Sequence, residues 1–182
     1  MSGEVLLVRH TEVARYWHGR CYGRSDAGLS RRGALHAVEV AARIAAWRPD
    51  AIVHSGLGRT ARLARLVAAR TGLDAAIDPA WQERDFGTWE GMRWSTIYRA
   101  TGSAMDGMID DPDGFRPGGG ETTSELADRA MLALARLPAG RIAVVSHGGP
   151  IAAILGRGAD QPPHEWLALV PAYGSTTPLM DR

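Results

Sequence analysis

The sequence predicts an α/β protein, a three-layer α/β/α sandwich around a mostly parallel sheet. Two observations carry the layering. Short, continuous apolar runs at residues 5–8 and 142–145 have the composition of strands covered on both faces. Amphipathic helical stretches alternate with such runs through short connections, which is the pattern of strands wound in parallel with helices packed on the sheet.

Residues 5–8 form the first strand and run into Arg9-His10. A loop rich in glycine, arginine and aromatic residues follows over 11–28. Ser30 is placed as the N-cap of a helix reaching about Trp47 and stopped by Pro49, with Leu35, Val38, Ala41, Ala42 and Ala45 as its apolar stripe. Residues 51–53 are a second strand ending at His54-Ser55. A helix over about 59–70 stops at Thr71-Gly72, with glycine where a left-handed cap is wanted. Residues 75–78 read as a third strand. The stretch 81–120 breaks the rhythm with short helical fragments, three of the six tryptophans and the loop "DDPDGFRPGGG". A helix over about 123–137, the strand 142–145, and a helix over 151–155 opened by Pro150 restore it. A last strand or pair of strands falls within 167–180.

The bulk numbers fit one domain spanning 1–182, with a lid-like insertion at about 81–120. The chain has 182 residues, 45% hydrophobic and 23% charged, enough to bury a core. Its 21 basic and 20 acidic residues leave a net charge of +1, which argues against a nucleic-acid partner held by bulk electrostatics. The single cysteine, Cys21, excludes an internal disulfide and a cysteine-built zinc site. No apolar run approaches the ~18–20 residues that span a membrane, and no signal peptide is recognisable, so a soluble cytoplasmic protein is expected. A homodimer is left open.

In a parallel sheet, ligands bind beyond the carboxyl ends of the strands. Arg9-His10, His54-Ser55 and Ser146-His147 therefore share the functional edge, and Arg59 opens a helix beside it. Two imidazoles and two guanidiniums gathered without purpose would cost stability, so an anion is expected between them. Arginine forks match the several oxygens of a phosphate. Other phosphate chemistries fail on the residues. Position 27, six after Cys21, is alanine where a cysteine phosphatase needs arginine, and no phosphate-binding Gly-x4-Gly-Lys-Ser/Thr loop or Gly-x-Ser-x-Gly elbow exists. "DPDGF" does not follow an apolar strand, as an aspartate nucleophile would. Histidine remains as the nucleophile.

The segments "LVRHTEV", "GRCYGRSDAGLSRRG", "SGLGRTARLA", "ERDFGTWEGM", "GGGETTSELADR" and "VVSHGGPIAAIL" together resemble the histidine phosphatase (phosphoglycerate mutase-like) superfamily, in the family's order and over most of the chain. "CYGRSD" and "DFGTWEG" look most like its α-ribazole phosphatase branch, which acts in cobalamin synthesis. The resemblance implies a metal-independent phosphomonoesterase with no cofactor, its expected partner a small-molecule phosphate ester. Under it His10 attacks phosphorus, Arg9 and Arg59 clamp the phosphoryl oxygens, and His147 donates a further hydrogen bond. The nitrogen of His10 that does not attack should donate to a backbone carbonyl. Spacing leaves Glu83, Asp85 and Glu90 open as the acid that protonates the leaving oxygen; the resemblance selects Glu83. Arg20, Tyr22, Gly23 and Arg24, in the loop after the nucleophile, are assigned to the pocket wall. The chain departs from the family at Tyr16, at Gly56 in place of a polar residue, and at Leu63 where threonine is common. Mutase-type phosphoryl transfer and a broad-specificity sugar phosphatase are the enzymatic alternatives; a phosphoprotein-binding scaffold without turnover is disfavoured by the intact set of site residues.

Overall fold

The computed structural model describes residues 3–179. Its sheet has five strands: β1 (Glu4–Arg9), β2 (Ala51–His54), β3 (Ala75–Ile77), β4 (Arg141–Ser146) and β5 (Thr176–Leu179). They lie in the order β3-β2-β4-β1-β5. The first four run parallel and β5 closes the edge antiparallel to β1. The mostly parallel sheet expected from the sequence is present.

The apolar runs are continuous because each strand feeds two cores. Leu6, Val8, Ile52, Ala143 and Val145 face one layer, with Ala37, Val40, Ala41 and Ile44 of α1 (Arg31–Ala46) and Leu63, Ala64 and Val67 of α2 (Gly58–Thr71). Their neighbours Val5, Leu7, Val53, Ile142 and Val144 face the other, with Trp81 of the turn after β3, Ala130 and Ala133 of α5 (Thr123–Ala135), and Ile151 and Ile154 of α6 (Gly148–Gly158). Burying each Val, Leu or Ile contributes about 1.5–3 kcal/mol, so this two-sided burial is what makes the strand ends rigid enough to carry a site.

Caps tie helix starts to the site loops. Ser30 accepts from Gly33 N at 2.8 Å and donates to Glu12 Oε2 at 2.6 Å, while Thr11 Oγ1 donates to the Gly33 carbonyl at 2.8 Å. A Cβ on Gly33 would lie 2.0 Å from the Glu12 carbonyl oxygen, so only glycine lets α1 pack this close to the chain after His10. Gly72 ends α2 in the left-handed region, φ 75°, as expected. Thr122 and Glu125 form a capping box on α5.

Two expectations are corrected. The buried stripe of α1 is Gly33, Ala37, Val40, Ala41 and Ile44; Leu35 and Val38 are exposed, because the stripe was placed out of phase on alanine-rich positions that look alike from either side. Helix α6 starts at Gly148, ahead of Pro150. The last strand expected within 167–180 is β5, preceded by a 3-10 segment over 163–169. The stretch 81–120 holds 3-10 turns with α3 (Trp94–Thr101) and α4 (Gly107–Asp110). Among the described residues no helix is long and apolar enough to cross a membrane.

Candidate active site

Strand register assembles the site. Arg9 pairs with Ser146 across β1 and β4, and His54 pairs with Val145 across β2 and β4. One residue further along, His10, His147 and Ser55 converge beyond the carboxyl edge. The His10 and His147 rings meet edge to face, centroids 5.2 Å apart. Both are buried.

His10 Nδ1 lies 2.8 Å from the Thr11 carbonyl. A carbonyl only accepts, so Nδ1 carries the proton and Nε2 keeps its lone pair. Burial first, then the Arg59 guanidinium, hold the His10 pKa well below 6.5, outweighing the Thr11 hydrogen bond that raises it. A neutral imidazole with one free nitrogen is the form a nucleophile requires.

Arg9 lines the cavity beside it. Its NH1 donates to the Pro171 carbonyl at 2.6 Å, its guanidinium lies 4.1 Å above the centre of the Tyr173 ring, and its buried Nε has no hydrogen-bond partner among the described residues. An orphaned charged donor costs free energy, which an anionic acceptor would recover. Gly148 allows the approach, since a Cβ there would stand 3.3 Å from the Arg9 guanidinium carbon.

Arg59 and His147 form a second, deeper layer. Arg59 is wholly buried; NH1 donates to Ser25 O at 2.7 Å, NH2 to Gly23 O at 2.5 Å, and Nε to His147 Nδ1 at 3.2 Å. That last bond fixes the His147 tautomer, so Nε2–H donates to Ser55 Oγ, 2.8 Å away. Ser55 in turn reaches Thr60 Oγ1 at 2.8 Å, which donates to the Leu57 carbonyl. Burial first, then the Arg59 guanidinium, hold His147 well below 6.5. Both its ring nitrogens are engaged by protein groups, and neither it nor Arg59 lines the cavity.

The cavity, about 640 Å³, is lined at its polar end by Arg9, His10, Arg20, Tyr22, Gly23, Glu83 and Arg84. Of the three carboxylates left open by spacing, only Glu83 faces it. Glu83 accepts from Arg84 N at 2.9 Å and from Gly149 N, in the first turn of α6, at 3.1 Å. Asp85 instead caps Gly87 N at 2.8 Å and pairs with Arg24. Glu90 accepts from the amides of Arg24 and Ser25. Arg24 is exposed, bonded to Asp85 and 3.9 Å from Glu121, and stands outside the lining; its length and charge carry it to the acidic surface rather than inward. Trp94 lines the cavity, Trp89 is core, and Tyr98 is exposed. Tyr16 is exposed too, its ring stacked under Arg20 at 4.3 Å. Gly56 sits at φ 87°, a left-handed turn that explains glycine in place of a polar residue.

Tyr173 escaped the sequence reading. Antiparallel β5 pairs Val8 with Thr176, so the chain just before it crosses the end of β1, where Gly174 N bonds Arg9 and His10 carbonyls. This sets Tyr173 against Arg9, 5.5 Å from the His10 ring centre, with its hydroxyl bonded to that of Tyr22. The "AYG" triplet before a terminal strand carries no chemical motif; only its place in the sheet reveals it.

Relatives agree with this geometry. The family model of the histidine phosphatase superfamily (branch 1) matches residues 5–180. A probable phosphoglycerate mutase, GpmB of Salmonella paratyphi C, is 34% identical over 149 residues, 80% of this chain and 69% of that one. The structure of a mycobacterial glucosyl-3-phosphoglycerate phosphatase superposes with a TM-score of 0.87 at 27% identity, covering 98% of this chain and 90% of that one. The α-ribazole phosphatase of Shigella flexneri shares the fold, with a TM-score of 0.84 at 23% identity over 96% of this chain and 89% of that one. The chain belongs to the histidine phosphatase superfamily. Within it, this protein is an enzyme of the phosphatase type.

Proposed function

We propose that the protein is a metal-independent phosphomonoesterase that forms a phosphohistidine on His10 and hydrolyses a phosphate ester with a flat, largely apolar leaving group, α-ribazole 5′-phosphate being the candidate. One observation carries the chemistry: the neutral His10, its Nδ1 spent on Thr11, stands beside the partnerless buried Nε of Arg9. His10 Nε2 attacks phosphorus as the ester P–O bond breaks, and Glu83 gives the leaving oxygen its proton. Glu83 then takes a proton from water, whose oxygen displaces His10 and releases phosphate. Arg9 Nε donates to a phosphoryl oxygen throughout, and the start of α6 adds its positive end.

The leaving-group end supports an apolar partner. Phe86, Trp94, Met105, Met108 and Ile109 line it from 81–120, which serves as a lid, and Trp166 and Leu167 close it from the other side. A second reading, a sugar-phosphoglycerate phosphatase, is favoured by the higher identity of the mycobacterial structure, and Arg20 and Arg84 in the lining suit an acidic group. Labelled substrate should leave acid-labile, base-stable phosphate on the wild type and none on His10→Ala; label surviving in that variant overturns the mechanism. Relative kcat/KM on α-ribazole phosphate, glucosyl-3-phosphoglycerate, 3-phosphoglycerate and sugar phosphates decides the substrate. A tenfold preference for any of the last three, about 1.4 kcal/mol, overturns the α-ribazole assignment alone.

A further inference from the structure

We infer that Glu90 is a positioning residue for the phosphate site, acting through the peptide between Gly23 and Arg24 to hold the guanidinium of Arg59. The inference rests on the phosphatase reading of His10 and its surroundings. Glu90 makes an unusual set of contacts for a partly buried carboxylate. Its Oε1 accepts from Arg24 N at 2.8 Å and Phe86 N at 3.3 Å; its Oε2 accepts from Ser25 N at 3.0 Å and from the Ser25 hydroxyl. No cation forms an ion pair with it among the described residues.

The charge that answers it lies on the far side of the loop. Gly23 C=O and Arg24 N–H belong to one planar trans peptide and point in opposite directions. Glu90 holds the N–H end at 2.8 Å, and Arg59 NH2 holds the carbonyl end at 2.5 Å. A carboxylate on one end and a guanidinium on the other polarise the same peptide in the same sense, so each hydrogen bond strengthens the other. Ser25 adds a second tie through adjacent peptides, its N–H on Glu90 and its carbonyl on Arg59 NH1 at 2.7 Å. Arg59, fully buried, has no carboxylate within ion-pair distance among the described residues; Glu83 and Asp26 act on it through space, and Glu90 adds a charge relayed through the loop. Gly23 is what lets the loop lie between them, because a Cβ there would stand 1.8 Å from the Arg84 carbonyl oxygen and 2.7 Å from Glu90 Oε1.

The relay continues inward. With its two terminal nitrogens fixed, Arg59 aims Nε at His147 Nδ1, whose ring abuts His10. Loss of the Glu90 charge therefore loosens the geometry on which phosphoryl transfer depends, although Glu90 stands outside the cavity lining.

The test is Glu90→Gln, near-isosteric but uncharged, with Glu90→Ala beside it. Turnover of para-nitrophenyl phosphate and inhibition by orthovanadate are measured with melting curves. The expected result is a fall in kcat and in vanadate affinity of about 10–100-fold, KM changed by less than about threefold, and Glu90→Ala at least as severe. In a double-mutant cycle, Glu90→Gln should add little to Arg59→Lys. A structural staple alone predicts instead a lowered melting temperature with near-normal kcat and vanadate affinity in the folded fraction, and effects that add in the double variant. Either of those outcomes overturns the inference. Should Glu90→Ala not fold, Glu90→Gln carries the test by itself. A wild type that is neither active nor vanadate-inhibited would overturn the underlying phosphatase reading, a distinguishable failure.

Discussion

At the scale of single residues, the site separates into groups that face the ligand and groups that hold them. Arg9, His10 and Glu83 face the cavity; Arg59, His147 and Ser55 form a buried chain of donors and acceptors behind them. Arg59 shows why a positive charge there is not enough. Its planar fork spans two loop carbonyls and a histidine nitrogen at once, a reach that a lysine ammonium at the end of a flexible stem cannot reproduce. Arg59→Lys should lower kcat/KM on para-nitrophenyl phosphate by about 10²-fold. It should also cost about 1–3 kcal/mol of stability, since a buried carbonyl loses its donor. Steady-state kinetics and urea melts check both; wild-type kinetics would remove Arg59 from the machinery.

At the scale of elements, the parallel strands were legible in the sequence because two-sided burial writes itself as an uninterrupted apolar run, and the polar residue after each run then marks the functional edge. Arg9-His10, His54-Ser55 and Ser146-His147 were found this way. What was not legible depended on packing between distant segments. The phase of α1 was lost among its alanines, Arg24 proved a surface residue, and Tyr173 reached the site only through the antiparallel register of β5. The start of α6 illustrates a sequence feature whose reason appears only in space. "HGGP" reads as a flexible turn, yet Gly148 and Gly149 are helical, and they are glycine because Val170 and Arg9 crowd the first and Glu83 the second. A Cβ on Gly149 would stand 2.2 Å from Glu83 Oε1. Gly149→Ala favours the helix by up to about 1 kcal/mol while pushing the carboxylate aside. The expected outcome is an unchanged or slightly raised melting temperature with kcat reduced at least about tenfold. An alanine variant of normal kcat would show that Glu83 has no positional role.

At the scale of the whole molecule, the sheet brings its charges and imidazoles to one end and buries them there, which ties global stability to pH. His10, His147 and His54 are all held below 6.5, by burial first in each case, with Arg59 next for the two site histidines and Arg65 for His54. The sign follows from which state binds more protons. Above 6.5 the three rings are neutral in both folded and unfolded chains, and their contribution to stability is fully present. As pH falls below 6.5 the unfolded chain protonates them and the folded protein does not, so stability is lost until the pH reaches the depressed folded values. Each such histidine contributes a slope of about 1.4 kcal/mol per pH unit within that window. His54 is depressed less than the two site histidines, so its share is the smallest. Urea midpoints measured from pH 7.5 to 4.5 should therefore be flat at the upper end and fall steeply below about pH 6. The fall should be shallower in His10→Asn and His147→Asn, each of which removes one of the rings. A midpoint that stays level to pH 4.5, or a slope that neither variant changes, would mean that these imidazoles are not held neutral by the fold. The nucleophilic form of His10 would then need another origin.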